Sequence, residues 1–323
     1  MHISIKHIIT IASLINLSTL LHSNADETMD LILVAGQSNA VGYDAKPSEL
    51  PADPADKNIM FWWRCGDPMP DEFDSTSNGQ WTTLKAQHKG TPRVPAKDRD
   101  YGNFSSPDGG FGPEMQLGRT LYAKKGKPMA ILKVAFSGTS MSGDWDHMNS
   151  GDGGSSYRSL VTETKSAIAA AKAKNITLNL NAIIWVQGES DANEAAAANY
   201  EKALGAMVTA LREEFQAPEM KALFGVNTQF GRGSNLFLPK IVEAQQAIAQ
   251  KDARCAYVDT SKAEVINNEH FSAAGTIEMG NAQSEVVFTS SKEFVTDIFR
   301  ETGSAPSAVG SRKSASLPAQ PGC

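Results

Sequence analysis

The chain has 323 residues, 41% of them hydrophobic, and a formal net charge of -6. A chain of this size and composition can bury a full core within one large α/β domain. The acidic balance, with no basic stripe, argues against a nucleic-acid partner, because phosphate binding needs clustered Lys and Arg.

Residues 1–25 read as a signal peptide. Lys6 and His7 precede the apolar run IITIASLINLSTLL, and HSNA follows with Ser23 and Ala25 at the small-residue positions, so cleavage is expected after Ala25. The apolar run is too short for a membrane span, which predicts a secreted or periplasmic protein without stable membrane insertion. Processing leaves three histidines, His88, His147 and His270. Export implies an oxidising compartment. Three cysteines, Cys65, Cys255 and Cys323, are too few for a disulfide framework. Cys65 and Cys255 are candidates to pair, which spacing alone does not decide. Without a CxxC or HxxxH pair there is no Cys-rich metal site.

Five apolar, β-rich runs recur, at 31–35, 130–135, 182–186, 223–226 and 256–258. Helical spacing marks 113–123, 160–173, 193–215, 238–250 and 273–287, with a further helix at 291–300. In 193–215, Tyr200, Leu204, Met207 and Leu211 fall on one face. Strands alternating with helices predict an α/β fold with a mostly parallel sheet of about five strands. The domain is placed at 26–302. Within it, 44–112 reads as a long ordered insertion, rich in Pro, Gly and Asp but carrying FWWRCGDP. Residues 303–323 read as a disordered tail.

In such sheets sites form beyond the carboxyl ends of the strands. GQSN follows the first run, FSGTS the second and QGESD the third. Ser38, at a strand-to-helix turn, is a candidate nucleophile, although a Ser there also serves as a helix cap. Such a Ser needs a base, and His270 in NNEHFSAAG is the candidate, following the last strand. Glu189, at a strand end, should be partly buried and needs a partner: the His270 imidazolium, an Arg or backbone N–H groups. The backbone N–H groups of Ser38 and Gly138 and the side-chain amide of Gln187 are candidate oxyanion donors. Asp191 and Asn193 read as caps of the following helix.

Together LVAGQSNAVG, FGPE, LKVAFSGTSMSGDW, IIWVQGESDA and HFSAAG…MG resemble the SGNH-hydrolase superfamily. More closely, they resemble its branch of sialate O-acetylesterase-like and family 6 acetyl xylan esterase-like carbohydrate esterases. The resemblance runs from Leu31 to about Gly280. It implies a three-layer α/β/α sandwich, an acetylated carbohydrate substrate and a cofactor-free serine mechanism. Ser38 matches the nucleophile and His270 the base. Gly138 and Gln187 fall in the oxyanion blocks, and Glu189 matches a residue that orients the His in some members.

Two departures stand out. Many relatives have Asp three residues before the His, where this chain has Asn267, and Val186 stands where relatives often have His. Asn cannot stabilise an imidazolium as a carboxylate does. Glu189 is therefore the candidate third member, with Glu264 and Glu269 nearby. Trp145 and Asn39 are candidate substrate contacts. Trp62 and Trp63 read as stacking surfaces or as core. Arg93, Lys97 and Arg99 read as a solvated face or as partners of an acidic sugar. Asn267 also fits a carbohydrate-binding relative with impaired catalysis, and the superfamily includes short-acyl lipases and thioesterases.

Overall fold

The computed structural model describes residues 27–66, 73–92, 104–151 and 153–288. The expected signal peptide, the tail, the helix at 291–300, Cys323 and the Arg93, Lys97 and Arg99 group lie outside these residues. Nine strands form one sheet: β1 (Glu27–Gly36), β2 (Ile59–Gly66), β3 (Phe73–Thr76), β4 (Thr82–Thr83), β5 (Thr91–Pro92), β6 (Met129–Phe136), β7 (Ile176–Val186), β8 (Lys221–Gly225) and β9 (Cys255–Tyr257). The parallel body runs β2-β6-β1-β7-β8-β9. On β2 the short strands β3 and β4 pair antiparallel, and β5 pairs with β3.

The alternation of side chains along each strand explains the apolar runs. On β1, Leu31, Leu33 and Ala35 enter one core, while Ile32 and Val34 enter the other. Strands covered on both faces need no polar alternation. One face is covered by α3 (Ser155–Lys172), α5 (Tyr200–Glu214) and α6 (Leu238–Lys251). The opposite face carries α1 (Ser38–Val41), α2 (Glu114–Lys125) and α7 (Ala273–Phe288). The result is the expected three-layer sandwich. The helix expected at 193–215 is interrupted: α4 (Glu194–Ala197) is a single turn capped by Asn193, which accepts from Ala196 N at 3.1 Å, and α5 begins at Tyr200.

The segment 44–112 is not a loop insertion throughout. It contains β2, a sixth parallel strand, paired along its whole length with β6. The adjacent tryptophans on β2 face opposite cores, Trp62 in one and Trp63 in the other, and both are buried. Neither offers a face to a sugar. Cys65 on β2 and Cys255 on β9 lie at opposite edges of the parallel body, five strand spacings apart. At about 4.8 Å per spacing this is far beyond disulfide reach, so the two do not pair with each other.

A polar cluster interrupts the core beneath α1. Lys133, fully buried in the middle of β6, donates to Val41 O at 2.7 Å, to Gln87 Oε1 at 2.7 Å and to Glu114 Oε1 at 3.1 Å. Glu114 Oε1 also accepts from Gly112 N and Gln87 Nε2. The ammonium therefore fastens the carbonyl end of α1 to the sheet and to the start of α2. Breaking a buried pair by removing one partner leaves an uncompensated charge, at about 3–5 kcal/mol. Lys133→Met is expected to lose stability on that scale in urea unfolding, and the double variant Lys133→Met with Glu114→Leu to lose less than the single one.

Candidate active site

Ser38 follows β1, Gly138 follows β6, Glu189 follows β7 and His270 follows β9. All four line one cleft of about 350 Å³ at the carboxyl edge of the sheet. The turn that presents Ser38 depends on Gly36. Its φ is 141°, and a Cβ there would lie 2.0 Å from Val186 O. No side chain fits, so β1 and β7 close together at their ends, and Gln37 N donates to Val186 O at 3.0 Å. Ser38 opens α1 rather than capping it. The cap is Gln37, which makes no side-chain cap hydrogen bond.

Gln37 holds the neighbouring loop instead. Its Oε1 accepts from Gly188 N and Ser190 N, both at 3.3 Å. Two N–H donors on one oxygen fix the amide orientation and turn the NH₂ away from them. Among the described residues, that NH₂ and the backbone N–H groups of Ser38 and Gly138 have no hydrogen-bond partner.

Gln187, expected to contribute an oxyanion donor, is fully buried. Its Nε2 donates to Thr139 O at 3.0 Å and to Asp191 Oδ2 at 2.6 Å, and its Oε1 lies 2.9 Å from the Tyr200 hydroxyl. Both amide hydrogens are used, so the side chain has nothing to offer a substrate. Asp191 does not cap a helix. Its Oδ2 also accepts from Met141 N at 2.8 Å, tying the Gly138 loop to the Glu189 loop. Trp145 is fully buried, donates through Nε1 to Thr139 Oγ1 at 2.9 Å and packs edge-on to Trp185, so it cannot stack on a sugar. Asn39 is buried as well, and its side chain is consumed by protein contacts. It donates to Glu189 Oε1 at 2.9 Å and to Glu269 O at 3.0 Å, and accepts from Phe271 N at 3.0 Å.

Glu189 is in the cleft wall but makes no hydrogen bond to the imidazole. Its Oε1 takes Asn39 Nδ2 and Asn227 N at 3.0 Å, and Asn227 Nδ2 reaches the same Glu269 carbonyl at 3.1 Å. Glu189 thus braces the His270 loop through two asparagines. The carboxylate that meets His270 is Asp44, with Oδ2 2.7 Å from Nδ1. Tyr43 packs its ring on the imidazole, centroids 4.7 Å apart. Both come from the loop after α1, where Gly42 has φ 79° and its absent Cβ would lie 1.8 Å from Phe111 O. Asp44 and Tyr43 carried no signal at the level of motifs. The Gly42 turn directly after the nucleophile block was the trace available. His88 packs against Trp63, and His147 against Tyr157, both outside the cleft.

Burial pushes the Glu189 carboxyl above its ordinary value, although the Asn227 and Asn39 hydrogen bonds and the nearby imidazole oppose this. A carboxyl raised in the native state favours folding below its unfolded value of about 4.5, and that advantage is lost as pH rises through the raised native value. Glu189→Gln keeps the Oε1 acceptor and abolishes the titration. In thermal melts between pH 4.5 and pH 8, the variant is expected to gain on the wild type as pH rises. Parallel pH dependence in the two would contradict this account.

A family model described as carbohydrate esterase, sialic acid-specific acetylesterase, matches residues 28–289. No curated protein matches the chain significantly in sequence. Solved structures do. A protein from Arabidopsis thaliana is 16% identical, covers 80% of this chain and 97% of its own, and superposes with a TM-score of 0.57. NanS is 17% identical over 86% of this chain and 99% of its own, with a TM-score of 0.52. A carbohydrate acetylesterase from Xanthomonas citri is 14% identical over 79% of this chain, with a TM-score of 0.51, and this chain spans 54% of its length. At these identities the likeness is one of fold. The family model covers most of the chain, and by it the chain belongs to the sialic acid-specific acetylesterase family of carbohydrate esterases, SGNH-type carboxylic ester hydrolases.

Proposed function

We propose that this protein removes O-acetyl groups from a glycan by way of an acetyl-Ser38 intermediate. The observation that carries the reading is the convergence of Ser38 and His270, 232 positions apart, on one cleft whose wall also holds unpaired N–H donors. His270 Nδ1 is engaged by Asp44, which leaves Nε2 for the Ser38 proton. Ser38 Oγ attacks the acetyl carbonyl, and the imidazole takes its proton. The C–O bond to the sugar then breaks, and the imidazole returns the proton to the leaving hydroxyl. Water, activated by the same imidazole, releases acetate and restores Ser38.

The developing oxyanion is held by Ser38 N–H, Gly138 N–H and the Gln37 amide, the last taking the place expected of Gln187. Donors already oriented by the fold need no rearrangement as charge develops. The substrate class is an acetylated sialate or a xylan-type polysaccharide, as the family match and the resemblance of the motifs suggest. The N-terminal pattern supports a location outside the cytoplasm.

The mature protein is expected to hydrolyse 4-nitrophenyl acetate and to lose that activity in Ser38→Ala. Equal rates for the two would rule out the nucleophile. Gln37→Ala should lower kcat by roughly a hundredfold to a thousandfold, the cost of one oxyanion donor. In an acyl-length series the rate should fall by roughly tenfold or more for each methylene that does not fit. A flat series to octanoyl would favour the lipase reading.

A further inference from the structure

The imidazole of His270 sits in an arrangement that the motifs do not describe. Asp44 Oδ2 lies 2.7 Å from His270 Nδ1, and Asn267 Nδ2 donates to that same oxygen at 2.8 Å. The other end of the Asn267 amide, Oδ1, accepts from Glu269 N and His270 N, both at 2.8 Å. One amide therefore fastens the backbone of the His270 turn with its oxygen and the carboxylate of a distant loop with its nitrogen. The Asp44–His270 pair is only partly accessible, at 14% and 12% side-chain exposure.

We propose that Asp44 is the positioning carboxylate of His270 and that Asn267 is its clamp, so that the acid of this hydrolase is supplied by the nucleophile's own loop rather than by the loop of the histidine. The proposal rests on the esterase reading of Ser38 and His270. Asp44 fixes the ring with Nδ1 protonated and balances the imidazolium that forms when Ser38 loses its proton. Asn267 is in this arrangement an adaptation: with an Asp there, two carboxylates would face each other across 2.8 Å. Although burial works to raise the Asp44 carboxyl, hydrogen bonds from His270, Ser105 and Asn267 and the charge of His270 hold it below its ordinary value. Among the described residues, the other titratable groups near the ring are Tyr43, tilted against it, Glu189 in the cleft wall and Glu269 next in sequence. None of them bonds to Nδ1.

The test uses the full mature chain and 4-nitrophenyl acetate. Asp44→Asn is expected to lower kcat by between about a hundredfold and ten-thousandfold, with KM within about threefold of wild type. Asp44→Ala removes the carboxylate and leaves room for a small one, so added formate should restore its kcat at least about fivefold in a saturable manner. A residue of purely structural importance would not respond to formate. Asn267→Ala should cost roughly tenfold alone and clearly less in the Asp44→Asn background, because the part of the clamp that grips the carboxylate is already gone. Asp44→Asn with more than half the wild-type kcat would overturn the proposal. So would formate-insensitive Asp44→Ala that melts like wild type, or full additivity of the two substitutions. If Asp44→Ala fails to fold, Asp44→Asn and the double variant carry the decision. An inactive wild type would sink the esterase reading itself, an outcome separate from all of these.

Discussion

The side chain of Asn39 holds the site together. It is buried next to Ser38, and its three hydrogen bonds reach two other segments: the Glu189 carboxyl group after β7, and the Glu269 carbonyl and Phe271 N–H on either side of His270. Asn227, after β8, repeats the brace on the same two acceptors. Such intramolecular hydrogen bonds are worth about 0.5–1.5 kcal/mol net each, and a buried amide left unpaired costs about 1–3 kcal/mol. The placement of His270 relative to Ser38 is therefore decided by the residue one step along the chain from the nucleophile, and not by contact between the two themselves. Lys133 does the corresponding work beneath, holding the far end of the same single turn by the Val41 carbonyl.

Two carboxyl groups, those of Asp44 and Glu189, lie near one imidazole, and their environments set them apart. Asp44 is partly accessible and hydrogen-bonded, which favours its charged form. Glu189 is sealed in, with Oε2 lacking a hydrogen-bond partner, which favours its neutral form. Two acids pushed in opposite directions beside one base is a familiar way to give like groups unlike tasks. Here one neighbours the ring nitrogen, and the other holds the loop that carries the ring. A similar division separates the two glutamines. Gln37 spends its oxygen on the Glu189 loop and keeps its NH₂ for the cleft, while Gln187 spends its whole side chain on Thr139, Asp191 and Tyr200.

The framework was readable from local pattern. The five apolar runs became β1, β6, β7, β8 and β9, and the residues at their ends, Ser38, Gly138, Glu189 and His270, do meet. What stayed hidden depends on pairings across long stretches of chain. β2 lay in a region dominated by turn residues, and its role as a strand is fixed by β6, far along the sequence. Asp44 is 226 residues from its partner. The side chains misassigned as substrate contacts or donors, Trp145, Asn39 and Gln187, share one property. Each is polar or amphipathic, lies in a motif block and is buried. Motif spacing reports that such a residue is near the site but not which way its side chain faces. Asp191 illustrates the same limit: its position beside a helix start suggested a cap, whereas its carboxylate crosses to the neighbouring loop.

The distance in sequence between the halves of the site has a consequence for how the activity arises during synthesis. The turn that carries Ser38 is made before His270, which follows 232 positions later. In between, β1 has to acquire β6 on one side and β7 on the other, and these long-range pairings are the slow part of folding. The hairpin that carries His270, closed by the Val265–Phe271 bridge, docks through Asn39 and Asn227, and α7 follows it in the chain. A chain ending before it holds Ser38 without the imidazole that shares its cleft. The cleft is thus assembled only once the segment that carries His270 has reached the carboxyl end of β1.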